Sequence, residues 1–284
     1  MSPRLTLSLA VLFVSFGAIL VRLAAAPPLA VSFYRVAIAS LILLPFAQRD
    51  ARRSWPALDG RRRLLLIGAG LALALHFATW IASLSYTTVA SSVLLVNTAP
   101  LFAIVLSRLF LREKPPLVVQ VAIPIAFAGA ALIAFGDWTG SPGSLLGNGL
   151  ALAGAMTLAI YQVVGRGLRD ALPLNAYVLG VWSVAACVLA VLARSSGVVL
   201  GGYPVRTWVL FAALAIVPTI GGHGLVNKSL RSFPAPTVGL FLLGEPVLAS
   251  ILAWLVFREV PGPWTLAGGA IVLAALGLVL ARRA

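Results

Sequence analysis

Ten runs of mostly apolar residues follow one another along this chain, each near the roughly 20 residues that a helix needs to cross a bilayer. They fall at about 5–23, 30–48, 64–86, 89–111, 117–136, 145–165, 173–193, 207–226, 236–257 and 263–281. The runs are long and do not alternate with period two, so helices fit them better than barrel strands. Proline and glycine mark many of the breaks, at Pro27-Pro28, Pro115-Pro116, Pro142-Gly143, Pro173, Pro234 and Pro261-Gly262-Pro263. Only 10% of the 284 residues are charged and mean hydropathy is +1.05. A water-soluble domain carries roughly 25% charged residues. Lipid is therefore the expected solvent for most of the surface, and no polar stretch is long enough for a separate soluble domain. The expected class is an all-α integral membrane protein.

The first run needs separate treatment. Arg4, the apolar stretch after it and Ala24-Ala25-Ala26 imitate a cleavable signal peptide. Leu5 to Leu23 is long for a signal core, and the repeat described below requires it, so it is counted as a span.

A net charge of +14 points to nucleic acid in a soluble protein. Here the basic residues sit mostly in short gaps between apolar runs, where topology places them, and no nucleic-acid partner is expected. With the N-terminus inside, the inner segments hold Arg4, the cluster from Arg49 to Arg63, Arg112 and Lys114, Arg166 and Arg169, Lys228 and Arg231, and Arg282 and Arg283. The outer positions are Arg22, Arg194, Arg206 and Arg258. Fifteen against four places both termini in the cytoplasm. The Arg49–Arg63 loop is also a candidate contact for anionic lipid. Cys187 is the only cysteine, which excludes disulfides within the chain and multi-Cys metal sites.

An internal repeat organises the ten runs. A shift of 146 residues lays the fourth run on the ninth, with Thr98-Ala99-Pro100 over Gly244-Glu245-Pro246. Arg112-Glu113 then meets Arg258-Glu259, Pro115 meets Pro261, and Ser83-Leu84 meets Ser229-Leu230. His76 and His223 match to within one residue. The halves, taken as 1–140 and 141–284, hold five spans each. An odd number makes the second half enter from the opposite side, so ten helices form two inverted five-helix repeats. In secondary transporters of this plan the solute site lies between the halves near mid-membrane.

In these blocks the sequence resembles the drug/metabolite transporter superfamily, in its EamA-like branch of ten-helix bacterial proteins. The resemblance spans nearly the whole chain and rests on Asn97-Thr98-Ala99-Pro100-Leu101-Phe102 through Arg112-Glu113-Lys114, and on Gly244-Glu245-Pro246-Val247 through Arg258-Glu259. Tyr34-Arg35 resembles an arginine of the family's second span. Phe16-Gly17 departs from it, lacking the tryptophan often found before that glycine. Membership implies a central cavity, the bacterial cytoplasmic membrane, and outward movement of metabolites such as neutral or aromatic amino acids.

Polar groups inside spans are costly and are candidates for function. His76, Thr79, Trp80 and Ser83 share one face of the third run and form a polar-aromatic stripe suited to a cavity. The same histidine could instead be satisfied by a neighbouring helix, with Trp80 as packing. Tyr161 and Gln162 combine a ring with an amide, and Trp182 and Tyr34 extend an aromatic lining or serve as packing and interface anchors. Glu245 is the only acid deep in a span. It can carry a coupling proton, hold a substrate ammonium, or satisfy the carbonyl freed by Pro246. Arg35 can attract a carboxylate or snorkel to headgroups. Asn97 bonds across helices or lines the path, and packing is the expected role of His223 in Gly221-Gly222-His223-Gly224.

No phosphate-binding loop, dinucleotide fingerprint, H-E-x-x-H or serine elbow is present, so neither cofactor, metal nor catalytic residue is expected. The expectation is a secondary transporter of small solutes. The alternatives are a different cargo in the same fold, such as a hydrophobic cation or nucleotide conjugate, and more remotely a lipid-modifying enzyme using His76 or Glu245.

Overall fold

The computed structural model describes residues 3–111, 117–140, 142–168, 171–229, 232, 238, 242 and 244–281. Arg112, Glu113, Lys114, Pro115, Pro116, Arg169, Leu230, Arg231, Pro234, Arg282 and Arg283, all used above, lie outside the described residues.

Seven apolar helical segments are long enough to cross a membrane: Leu5–Ala24, Pro28–Ser54, Gly60–Ser83, Val89–Phe110, Gly143–Leu168, Leu174–Ser195 and Val205–Ser229. Pro124–Gly136, Gly244–Phe257 and Pro263–Ala275 are shorter apolar helices that complete ten among the described residues. Numbered in chain order, the three shorter ones are the fifth, ninth and tenth spans. No strand occurs among the described residues.

Local chemistry sets the ends. Asp59 caps the third span, accepting from the Arg62 backbone N–H at 2.7 Å. Thr88 caps the fourth, accepting from Ser91 N–H at 3.1 Å. Pro28 and Pro263 open their helices, where a missing N–H leaves nothing unsatisfied. The second span outruns its apolar stretch by carrying Arg49, Arg52 and Arg53 in its last turns.

Leu41, Phe46, Leu64, Leu109 and Phe110 stand exposed on the outside of the bundle. Such a belt is an aggregation hazard in water and the expected surface against acyl chains.

The packing respects the repeat. The second span lies against the seventh, the fourth against the ninth and the fifth against the tenth, each pair made of repeat-related partners. The third packs along the sixth, and exchanging the halves turns that pair into the eighth and the first, which also pack together. Five crossings per half with this exchange make the protein two inverted repeats.

The fifth and tenth spans meet through glycine. A Cβ added at Gly129 would lie 2.7 Å from the Gly268 carbonyl oxygen, and one added at Gly268 2.5 Å from that of Gly129. The backbones therefore touch, as small residues allow in lipid, where close packing replaces the hydrophobic effect between helices. The 146-residue offset carries these glycines onto Ala275 and Ala122, buried together in one apolar cluster.

At the end of the bundle opposite the chain termini, a polar clasp joins the halves. Arg22 Nη1 pairs with the Glu259 carboxylate and Arg22 Nη2 donates to the Thr87 carbonyl at 2.6 Å. Val89 N–H donates to Glu259 Oε1, also at 2.6 Å. Glu259 thereby supplies an acceptor to the first turn of the fourth span, where helix N–H groups lack intrahelical partners.

Two stability changes follow. Gly129→Val forces side chain onto backbone and is expected to cost about 3 kcal/mol or prevent insertion. Glu259→Ala removes two charge-assisted bonds and is expected to cost about 2 kcal/mol. Thermal unfolding of the purified variants in detergent measures both, and a Gly129→Val protein as stable as the parent contradicts the backbone contact.

Candidate functional site

The prolines inside the spans decide where this bundle departs from regular helix. In the eighth span residues 215–223 form a π-helical stretch around Pro218. In an α-helix the Leu214 carbonyl would accept from residue 218, but proline has no N–H. That carbonyl instead accepts from Thr219 Oγ1 at 2.8 Å. With its proton committed, the Thr219 oxygen is free to accept, and Arg35 Nε donates to it at 3.1 Å. A π-helical turn of this kind often marks a functional position.

Arg35 is fully buried. Its guanidinium lies over the Phe77 ring, 4.0 Å from Cζ to the centroid, with Trp80 at 5.9 Å. Of the two positions open to it, the interior is the one it occupies, not the headgroup level. Nη1 is buried without a hydrogen-bond partner among the described residues.

Arg35 faces a central cavity of about 40 Å³, room for a few waters. The walls come from both halves. The first half contributes Arg35, His76, Trp80 and Asn97, and the second contributes Tyr161, Gln162, His223 and Glu245. His76 Nδ1 lies 3.0 Å from the Gly154 carbonyl oxygen, which makes that nitrogen the donor. This bond ties the third span to the sixth. Glu245 Oε2 accepts from Asn97 Nδ2 at 3.3 Å, and the same amide nitrogen donates to the Val93 carbonyl at 2.9 Å. Asn97 thus bonds across helices and lines the cavity at once. Tyr161 Oη accepts from Asn227 Nδ2 at 2.6 Å. Arg35 and Glu245 share the cavity without forming an ion pair.

Four of the expected residues lie elsewhere. Thr79 donates to the Leu75 carbonyl of its own helix at 2.8 Å. Ser83 bonds the Trp80 carbonyl and the Ser92 hydroxyl, both at 2.6 Å, and braces the turn between the third and fourth spans. Trp182 is buried in the apolar core, its indole N–H without a partner among the described residues. Tyr34 donates to the Leu200 carbonyl and packs with Tyr203, Trp208 and Phe211.

His223, expected to pack, also lines the cavity. Its ring centroid is 6.2 Å from that of His76 and 5.2 Å from Phe77. The two repeat-related histidines therefore meet across the line between the halves, and their near-match under the repeat was the signal available in sequence. Pro218 and Thr219 carried no such signal, because a proline in a run announces a distortion without saying which side chain it frees. Among the described residues no group of three or more His, Cys, Asp or Glu is arranged to hold a metal ion. A larger cleft, about 560 Å³, opens between the third, fourth and sixth spans at the end bearing Arg61 and Arg62.

The comparisons with known proteins agree with this architecture. A family model described as the EamA-like transporter family matches residues 2–135 and again residues 145–281, one match for each five-helix half. An uncharacterized transporter of Archaeoglobus fulgidus is 26% identical over 93% of this chain and 90% of its own. A protein of Pseudomonas aeruginosa strain UCBPP-PA14 named pseudopaline exporter CntI is 27% identical over 88% of this chain and 84% of its own. A solved crystal structure with 19% sequence identity superposes at a TM-score of 0.70, covering 99% of this chain and 98% of that one, which bears on the fold alone. A multi-pass bundle of inverted halves around a polar interior, matched once by the same model in each half, is thus a membrane transporter, and the chain belongs to the EamA-like transporter family.

Proposed function

We propose that the protein exports small metabolites, neutral or aromatic amino acids foremost, by alternating access through the central cavity. The observation that carries this reading is the convergence of His76, Trp80, Asn97, Tyr161, Gln162 and Glu245 from both inverted halves on one mid-bundle cavity. Trp80 and Tyr161 supply apolar walls for a side chain, and the polar groups supply donors and acceptors for its backbone end. At about 40 Å³ the cavity holds water and excludes an amino acid, so cargo enters only after the halves part. The division at 140/141 makes each half one moving body. The excess of Arg and Lys on the side of the chain ends orients that side to the cytoplasm of a bacterial inner membrane.

A hydrophobic cation as cargo is the second reading, favoured by one feature: among the described residues Glu245 is the only acid lining the cavity. The charge of Arg35 in the same space weighs against it.

Flux from proteoliposomes loaded with labelled phenylalanine, leucine and alanine tests the first reading, with protein-dependent efflux of at least one expected. Absence of flux for all the neutral and aromatic amino acids removes that cargo class. Glu245→Gln separates the two readings. It is expected to leave amino acid binding within roughly tenfold of wild type, because the glutamine amide oxygen still accepts from the ammonium and only the excess of a charge-assisted bond over a neutral one, about 1 kcal/mol, is lost. Loss of binding to a labelled hydrophobic cation, with amino acids never bound, selects the second.

A further inference from the structure

A guanidinium sealed inside a protein normally uses its donors, because a buried donor left unmade costs about 1–3 kcal/mol, more when charged. Arg35 does not. Its Nε is bonded to Thr219 and its face is laid on Phe77, yet Nη1 has no partner among the described residues. Glu245 lines the same cavity but is bonded to Asn97 and makes no ion pair with Arg35. None of the other described neighbours bonds Nη1. His76 has its Nδ1 on Gly154, and the rings of Phe77 and Trp80 present only π-faces.

The orientation of the group is fixed from two directions. Thr219 holds the Nε side through a hydroxyl that is itself pinned to Leu214, and the Phe77 ring lies against Cζ. The end of the guanidinium that carries both Nη groups is left over, the edge that matches the two oxygens of a carboxylate. A water molecule could fill one of these positions, but it would not neutralise the charge.

We propose that Arg35 is the anchor for a carboxylate of the cargo, received end-on by its Nη groups, so that the central site selects solutes bearing a free carboxylate. The proposal rests on the central cavity being the transport site. Opening of the cavity uncovers Nη1, and the cargo supplies the acceptor that the closed protein lacks. An amine on the same cargo then has Glu245 within the same cavity, while its side chain meets Trp80 and Tyr161. Pro218 belongs to the arrangement as a positioning residue, since its missing N–H is what commits the Thr219 proton to Leu214.

The test uses purified full-length protein and compounds matched except at the carboxylate. Thermal stabilisation is measured for L-phenylalanine against L-phenylalaninamide, and for 3-phenylpropionate against 3-phenylpropionamide. In each pair that binds, the acid is expected to bind at least roughly tenfold more tightly than the amide, the scale of a charge-assisted bond. Arg35→Gln is expected to erase that ratio. Arg35→Lys, which keeps the charge and loses the fork, is expected to reduce it, and serves alone if Arg35→Gln does not fold. Thr219→Val, which unpins the guanidinium, is expected to shrink the ratio. Binding of 3-phenylpropionate without phenylalanine, still dependent on Arg35, would keep the anchor and remove the amino acid reading. Amides binding as well as acids to the wild type, no acid binding at all, or a ratio unchanged in the Arg35 variants overturns the anchor.

Discussion

Inside a bilayer no water stands ready to bond a stray backbone group, and this constraint shapes the protein more than any single contact. Most of the chain meets it with uninterrupted helix. The few places that do not are where the bundle acquires chemistry. Pro218 deprives Leu214 of its helical donor, Thr219 fills in, and the filled-in hydroxyl becomes the acceptor that holds Arg35. At the fourth span the helix breaks between Val96 and Ala99, just before Pro100, and Asn97 turns its amide to both the Val93 carbonyl and Glu245. One repair, Asn97, is itself a wall of the cavity, and the other, Thr219, holds a wall residue in place.

The two halves share a plan without sharing every residue. The histidines are paired across the repeat and face each other, while Arg35 and Glu245 have no like-charged counterparts in the other half: Val181 lies at the offset from Arg35 and Ala99 at the offset from Glu245. The scaffold is therefore close to symmetric and the site is not. A symmetric scaffold offers two equivalent arrangements of its halves, and an asymmetric site can hold one molecule in one orientation within either.

The spans, the repeat and the class of protein were legible in the sequence because lipid imposes a long, simple hydropathy pattern, and because R-E-x-P and a mid-span proline recur at one offset. The site was legible only in part. Periodicity put His76, Thr79, Trp80 and Ser83 on one face, but a helix face is shared among several neighbours. His76 and Trp80 look into the cavity, Thr79 returns to its own backbone, and Ser83 reaches the next helix. Tyr34 precedes Arg35 in sequence and so points elsewhere, into the cluster around Phe211. The glycines around His223 point to packing. Those glycines, with Gly222 close against Val14, bring the first span near, and the ring itself still faces the cavity.

The clasp of Arg22, Glu259, Thr87 and Val89 differs from every polar contact in the interior by its depth. Its two charged members, Arg22 and Glu259, lie at one end of the bundle and remain partly exposed, so solvent can take up both groups the moment they are released, although Thr87 and Val89 beside them are buried. A lock built at mid-membrane would strand its charges in oil when opened. One built at the rim is cheap to undo and quick to remake, which suits the parting of the halves that the proposed alternating access calls for.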